Sequence, residues 1–472
     1  MKMSEEKTIT AIATPPGNGA IAVIRLSGSR AFEIAGKVFR PFGGNAPIHE
    51  QPGYTMVHGS IHESGKAVDD VLVGIFRSPR SYTGEDVIEI SCHGSVYIQQ
   101  KILRLLIDNG AAFAAPGEFT RRAYLNGKID LSQAEAVADL IASESEAFHK
   151  VAIQQMRGGF SSELKTLRSR LLEFISLVEL ELDFSEEDVE FADKAELKRL
   201  LSSIGSMLGS LTSSFAFGNV IKNGIPVVIA GKPNVGKSTL LNLLLKEEKA
   251  LVSEVPGTTR DSIEDVIHLG GMTFRFIDTA GIRETTDKIE VMGIKRTMEK
   301  IRQARIILLM AEATDTTEHI DHLACELRKK QEFEGKKLIL LLNKSDLKGQ
   351  SNKQGTSGNA LFPSLGKDDR VLEISAKTQQ GLEELKDMLV SIVNEGRPGE
   401  NDVVVTNLRH YEALKNAHEA VKRASEGLDN HLPGDLLAMD IREVLHYLGE
   451  ITGEITTDEI LGNIFKNFCI GK

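Results

Sequence analysis

Positive charge is what this chain lacks. Its 56 Lys and Arg residues are outnumbered by 67 Asp and Glu, a net charge of −11 over 472 residues. No general field therefore draws it to nucleic acid, and any RNA contact must come from a local basic patch or from a partner. Cysteine is scarce as well. Cys92, Cys325 and Cys469 lie far apart, with neither metal-ligand spacing nor a disulfide framework, which fits a reducing cytoplasm. Long hydrophobic runs are missing too: the first residues, MKMSEEKTITAIATPP, lack the apolar run of a signal peptide, and Ile306 to Ala311 is too short to span a bilayer. A cytoplasmic protein without a membrane role is expected. Hydrophobic residues at 41% and charged residues of both signs at 26% are enough to close several cores, and the length suggests about three.

Residues 8–120 alternate short β-rich runs, such as Ala20 to Leu26 and Val87 to Ser91, with helical segments such as Val96 to Asp108, the pattern of a compact α/β unit. From Ser132 the pattern turns helical, with Ser132 and Glu135 spaced as a capping box and heptad-like stretches through about Leu211. At Ile225 βα alternation begins. Buried-strand signals at Pro226–Ala230, Ile306–Met310 and Leu338–Leu342 imply a mostly parallel sheet. Gly349 to Gly366, rich in Gly, Ser, Asn and Lys, reads as a solvated loop. Helical periodicity returns from Leu408 to Leu448. The expected class is a multidomain α/β and all-α chain, with an α/β domain at 1–125, a helical domain in two parts at 126–216 and 386–472, and a mostly parallel nucleotide domain inserted at 217–385.

Gly231-Lys232-Pro233-Asn234-Val235-Gly236-Lys237-Ser238, with Thr239 after it, follows a buried strand and opens a helix. Glycines there let backbone N–H groups curl around a β-phosphate, the helix N-terminus adds positive potential, Lys237 neutralises β/γ charge and Ser238 ligates Mg²⁺. Thr259, in Gly257-Thr258-Thr259-Arg260, stands where a switch threonine completes the Mg²⁺ shell. Asp278-Thr279-Ala280-Gly281 ends a strand, which brings Asp278 to the metal and the Gly281 N–H to the γ-phosphate. Asn343-Lys344-Ser345-Asp346 follows another strand, and the Asp346 carboxylate can accept from both guanine N1–H and the amino group. Adenine lacks that donor pair, a mismatch that discriminates by about 10⁴. Ser375-Ala376-Lys377 supplies the remaining base-side loop. A Gly turn or a strand-end Asp is commonplace singly; five such elements in this order specify a guanine nucleotide.

The water-orienting glutamine of Ras-like GTPases has no counterpart, because its position is Ile282. Arg283, Glu284 and Glu290 on the following segment are candidates to replace it. Extra positive charge at the transition state could come from a monovalent cation held by Asn234 and by backbone oxygens of the loop Ser253, Glu254, Val255, Pro256, Gly257 and Thr258; equally, Asn234 could only stabilise the turn.

These motifs, together with Ala13-Thr14-Pro15-Pro16-Gly17, Arg25-Leu26-Ser27-Gly28, Tyr82-Thr83-Gly84-Glu85-Asp86, Pro116-Gly117-Glu118-Phe119-Thr120, Asn126-Gly127-Lys128 and Phe468-Cys469-Ile470-Gly471-Lys472, resemble the MnmE (TrmE) family of tRNA modification GTPases over essentially the whole chain. The resemblance implies a homodimer formed through N-terminal domains that bind a formyl- or methylene-tetrahydrofolate. It also implies an FAD-dependent partner, MnmG, with which an aminomethyl or carboxymethylaminomethyl group is added at carbon 5 of the tRNA wobble uridine. It assigns Asn234, Ser253, Val255 and Thr258 to K⁺, Glu290 to the attacking water, and Arg25, Glu89, Lys128 and Lys472 to the folate. Those four fit a pterin's donor edge and an anionic glutamyl tail; without the resemblance each reads as an ordinary strand or surface charge. Cys469 has the outline of a prenylation site, but the residue at 472 is Lys rather than a small or apolar type. A buried thiol is the common alternative, and the family match suggests instead a cysteine near the chemistry.

A ribosome-assembly GTPase, an RNA-binding switch, would share the nucleotide motifs but calls for a basic module beside them. A mechanochemical membrane GTPase calls for a lipid-binding stretch, which the sequence does not offer. Folate binding by the first 120 residues separates the modification enzyme from both.

Overall fold

The computed structural model describes residues 7–44, 46–183, 194–249, 265–277, 301–329, 333, 335–347, 361–395, 399, 403–466 and 468–472. The chain divides into two compact units, one made of Met1–Ile141, Ala152–Ile204 and Asn416–Lys472, the other of Ala142–Val151 and Gly205–Lys415.

The first unit contains a seven-stranded sheet. Its strands are β1 (Ile9–Ile12), β2 (Ile21–Ser27), β3 (Phe39–Pro41), β4 (Thr55–Glu63), β5 (Lys66–Phe76), β6 (Val87–His93) and β7 (Ala112–Phe113), in the order β3-β4-β5-β6-β2-β1-β7. All pairings are antiparallel except β1 with β7. Period-2 patterning puts Ile24, Leu26, Ile88 and Ile90 on one face, in a core with Ile34 and Ala35 of α1 (Ala31–Val38) and Ile102, Leu105 and Leu106 of α2 (Val96–Asp108). Arg25 and Glu89 are direct cross-strand partners in the β2–β6 register and take the other face.

α3 (Glu118–Leu125) and α4 (Leu131–Ala142) follow. Ser132 and Glu135 do not form the expected capping box. The box lies two residues earlier: Gln133 N donates to Asp130 Oδ1 and Asp130 N donates to Gln133 Oε1, both at 3.0 Å, while Ser132 Oγ merely donates to the Asp130 carboxylate. Aspartate caps at least as well as serine, so the earlier box sets the start of the helix. The helices of this unit share small apolar seams such as Leu131, Ala134, Leu461 and Phe465.

The second unit holds β8 (Ile225–Gly231), β9 (Asp265–Leu269), β10 (Met272–Phe276), β11 (Ile306–Glu312), β12 (Lys337–Asn343) and β13 (Arg370–Glu373). Their order is β13-β12-β11-β8-β10-β9, parallel apart from β9. Alternate residues of one strand feed opposite cores. Ile306, Leu308 and Met310 join Leu241, Leu244 and Leu389, whereas Ile307, Leu309 and Ala311 join Ile320 and Ala324. Covering both faces is what makes these strands read as unbroken apolar runs. The expected solvated loop is core at its end, since Phe362 and Leu365 are buried in the second of these clusters and Ser364 N and Oγ both donate to Asp321 at 2.8 Å. Three residues of spacing put the two side chains on one side, a signal hidden by the Gly/Ser-rich composition before them.

One described helix, Ala195–Asn223, is long and apolar enough to cross a membrane by length and composition. Its Leu197, Leu201, Ile204, Leu208 and Leu211 are buried at helical spacing, as in a core helix.

Candidate functional site

Strand order reverses at β8, which lies between β10 and β11, and a parallel sheet opens its ligand crevice at the C-terminal end of such a strand. There the chain turns through Gly231–Gly236 into α8 (Lys237–Lys249). Gly231 has φ +148° and a Cβ would stand 2.4 Å from the Met310 carbonyl oxygen; Gly236 has φ +104° and a Cβ would stand 2.3 Å from Asn343 Nδ2. Only glycine fits either position. Asn234 holds φ +61°, a left-handed conformation that asparagine tolerates better than most residues. Val235 anchors the loop in the core beneath it. Lys237 Nζ donates to the carbonyls of Gly231 at 2.8 Å and Lys232 at 2.6 Å, and burial pushes its pKa down. An ammonium so held is charged at the cost of desolvation, a cost that an incoming phosphate would relieve. Ser238 is half-buried in the first turn of the helix and Thr239 is exposed.

Asn343, at the end of β12, ties three loops together. Its Nδ2 donates to the Val235 carbonyl at 2.7 Å and its Oδ1 accepts from Ala376 N at 2.9 Å. The Asp346 Oδ1 accepts from Ser375 Oγ at 2.7 Å, and Ser375 Oγ also accepts from Thr378 N at 3.2 Å. Lys344, at φ +62°, reaches back to an ion pair with Glu312. The phosphate loop, the Asn343–Asp346 strand end and the Ser375–Lys377 loop thus form one hydrogen-bonded set, with Lys377 exposed at its rim. Ser253, Glu254, Val255, Pro256, Gly257, Thr258, Thr259, Asp278, Thr279, Ala280, Gly281, Arg283, Glu284 and Glu290 lie outside the described residues.

A second site occupies the face of the first unit's sheet opposite α1 and α2, beside Phe119 of α3. Arg25 Nε and Nη2 bind Glu89 Oε1 at 2.9 and 2.8 Å, and Arg25 Nη1 donates to the Gly471 carbonyl at 3.4 Å. The guanidinium also stands 5.5 Å from the ring centres of both Tyr82 and Phe119. Arg25, Glu89 and the segment around Lys472 are therefore brought together. That segment is fixed by its backbone: Gly117 N donates to Cys469 O at 3.3 Å, Phe119 N to Lys472 O at 3.2 Å, and a Cβ on Gly471 would stand 2.3 Å from the Ile12 carbonyl oxygen. Cys469 is exposed rather than buried in an apolar tail. Lys128 is exposed, and its Nζ donates to the Pro79 carbonyl at 3.0 Å, on the loop that also carries Tyr82.

Reading the sequence for chemistry missed what aligns these loops. Glu85 accepts from Ser27 Oγ at 2.6 Å and from Arg122 Nη1 at 3.1 Å, Ser27 Oγ and Thr83 Oγ1 are 2.8 Å apart, and Arg122 Nη2 donates to Glu118 at 2.8 Å and to the Lys7 carbonyl at 2.9 Å. The signal was present in the Ser27, Glu85 and Glu118 motifs, whose charges and hydroxyls are otherwise unexplained. Tyr82 Oη and Thr120 Oγ1 are 2.9 Å apart, and burial raises the phenol's pKa.

Comparison with known proteins identifies the family. The family described as "GTP-binding protein TrmE N-terminus" matches residues 8–128 and the "MnmE helical domain" matches 131–469. Proteins named tRNA modification GTPase MnmE from Bacteroides thetaiotaomicron, Flavobacterium psychrophilum and Christiangramia forsetii are 52%, 53% and 52% identical, over 99%, 98% and 100% of this chain and 100%, 99% and 100% of theirs. A phosphate loop tied to Asn343, alignment along the whole chain and both domain matches agree: the chain belongs to the MnmE (TrmE) family of tRNA modification GTPases.

Proposed function

We propose that this GTPase, acting with an FAD-dependent partner of the MnmG type, adds an aminomethyl or carboxymethylaminomethyl group at carbon 5 of the tRNA wobble uridine, with a tetrahydrofolate as one-carbon donor. The observation that carries the reading is Arg25, which joins Glu89 to the Gly471 carbonyl with the Tyr82 and Phe119 rings beside it, a convergence of charge, carbonyl and aromatic surface at one point of the sheet. The residues suit a reduced pterin. The Glu89 side chain keeps 30% exposure and can accept from a donor edge, the rings offer stacking surface, and Lys128 and Lys472 provide cations for a glutamyl tail. Cys469, exposed beside this site, is the candidate to assist the uridine chemistry. The domain organisation we favour is folate binding and dimerisation at 1–125, with a nucleotide domain at 217–385 inserted between helical parts at 126–216 and 386–472, in a cytoplasmic homodimer.

At the nucleotide site, Lys237 binds phosphate, Asp346 reads guanine, and Glu290 orients the attacking water in place of a glutamine. Mg²⁺ on Ser238 and Thr259, and K⁺ on Asn234, Ser253, Val255 and Thr258, would supply the positive charge that phosphoryl transfer requires. The left-handed turn at Asn234 exposes that residue, as a ligand position demands. GTP turnover should be much faster in KCl than in NaCl at equal ionic strength; equal rates remove the cation from the account. Mass analysis of tRNA nucleosides from cells lacking the protein tests the whole reading, and unaltered wobble uridines refute it.

A further inference from the structure

A chain with net charge −11 that acts on tRNA can meet it only through a local cationic surface or a partner. Such a surface exists in the second unit, at the opposite end of the sheet from the nucleotide loops. The helix Thr317–Arg328, the start of β12 and the turn before β13 border an open cavity of ≈ 630 Å³ lined by Arg328, Lys329, Lys336, Lys337 and Lys367 together with Asp368 and Asp369. That lining holds five Lys and Arg against two Asp.

The cations divide into two groups. Arg328 is spent on the buried Asp369, an approach that leaves room for no Cβ at Gly366, and Lys337 is shared between Asp368 at 3.1 Å and Glu395 at 3.5 Å. Lys336 meets no carboxylate among the described residues: its Nζ donates to the carbonyls of Arg302 at 2.8 Å and Ala304 at 2.6 Å, and burial pushes its pKa down. Lys329 and Lys367 are exposed and have no ion-pair partner among the described residues. Three ammonium groups with no carboxylate partner among the described residues, around one cavity, suit an anion with several oxygens. Lysine, a flexible point charge, suits phosphate whatever its orientation.

We propose that this cavity binds backbone phosphates of the tRNA substrate. The assignment rests on the tRNA-directed reading of the chain, and its place leaves the nucleotide crevice free for GTP. Such contacts position RNA without reading sequence and act by releasing counterions.

The test uses the full-length protein, with fluorescent tRNA titrated across a salt series. Lys329→Glu combined with Lys367→Glu should weaken binding about tenfold near 100 mM salt. The magnitude of the log–log salt slope should drop by about 1.5, the share of two phosphates. Lys329→Gln with Lys367→Gln should give the same slope change with a smaller loss of affinity. Basal GTP hydrolysis should be unaffected, because neither lysine touches the nucleotide site. Unchanged affinity and slope overturn the proposal, as does an absence of saturable tRNA binding by the unmodified protein. Tripolyphosphate distinguishes the sources: competition with tRNA that vanishes in the double variant supports the site, whereas binding without any effect on tRNA assigns the cavity to a free polyphosphate and overturns the RNA assignment. Nucleoside analysis of cells lacking the protein fails separately if the functional reading itself is wrong.

Discussion

Replacing Asn343 with alanine should uncouple the nucleotide site from inside. The side chain is 3% exposed and makes two hydrogen bonds, to the Val235 carbonyl at 2.7 Å and from the Ala376 N–H at 2.9 Å. Alanine leaves both backbone groups buried without those partners, at about 1–3 kcal/mol each, so the unit should lose about 3 kcal/mol. For a unit of this size that corresponds to a fall in Tm of roughly 6–12 °C. Affinity should fall as well, because the phosphate loop and the third base loop are no longer held in register. Thermal unfolding and titration with fluorescent GDP measure the two effects. Asn343→Asp sharpens the test: it keeps the acceptor for Ala376 N but turns a carboxylate oxygen toward the Val235 carbonyl, so its defect should concentrate in phosphate binding. If Asn343→Ala keeps its Tm within about 2 °C and its GDP affinity within twofold, the asparagine is not the tie described here.

Gly471→Ala should displace the segment that follows Cys469, because the new Cβ would stand 2.3 Å from the Ile12 carbonyl oxygen; reduced-folate affinity should fall while GTP turnover is retained, and unchanged folate binding would contradict the site. Burial pushes the Cys92 thiol up to about 11 from 9.0, so the neutral thiol is the form the fold favours. Its stabilising contribution is complete below pH 9 and is lost as pH rises toward 11, where the unfolded chain ionises first. Alkylation at pH 8 should therefore label Cys469 rapidly and Cys92 only on unfolding, and equal labelling rates would show the thiol to be accessible.

What the sequence disclosed followed from how local each signal was. Helix Val96–Asp108 was legible to the residue, because its apolar spacing and flanking turns lie within the segment itself. Strands β8, β11 and β12 were legible as apolar runs, one residue short at each end of β8 and β12, since terminal residues such as Ile225 and Asn343 are fixed by neighbouring strands. The nucleotide motifs carried their own order. Nothing local told Glu85 that it would meet Ser27 and Arg122, or that Arg25 would find a carbonyl on Gly471. The capping box was misplaced for a subtler reason: two overlapping polar pairs fit the pattern, and only the backbone decided for Asp130.

The contact between Arg25 and Gly471 spans 446 residues of chain. At a synthesis rate of roughly 5–20 residues per second, Arg25 leaves the ribosome about 20–90 s before its carbonyl acceptor exists. The N-terminal sheet can fold in that interval, yet its polar face stays open to water until the distant segment docks. A nascent chain thus lacks the completed polar site until its translation is nearly over.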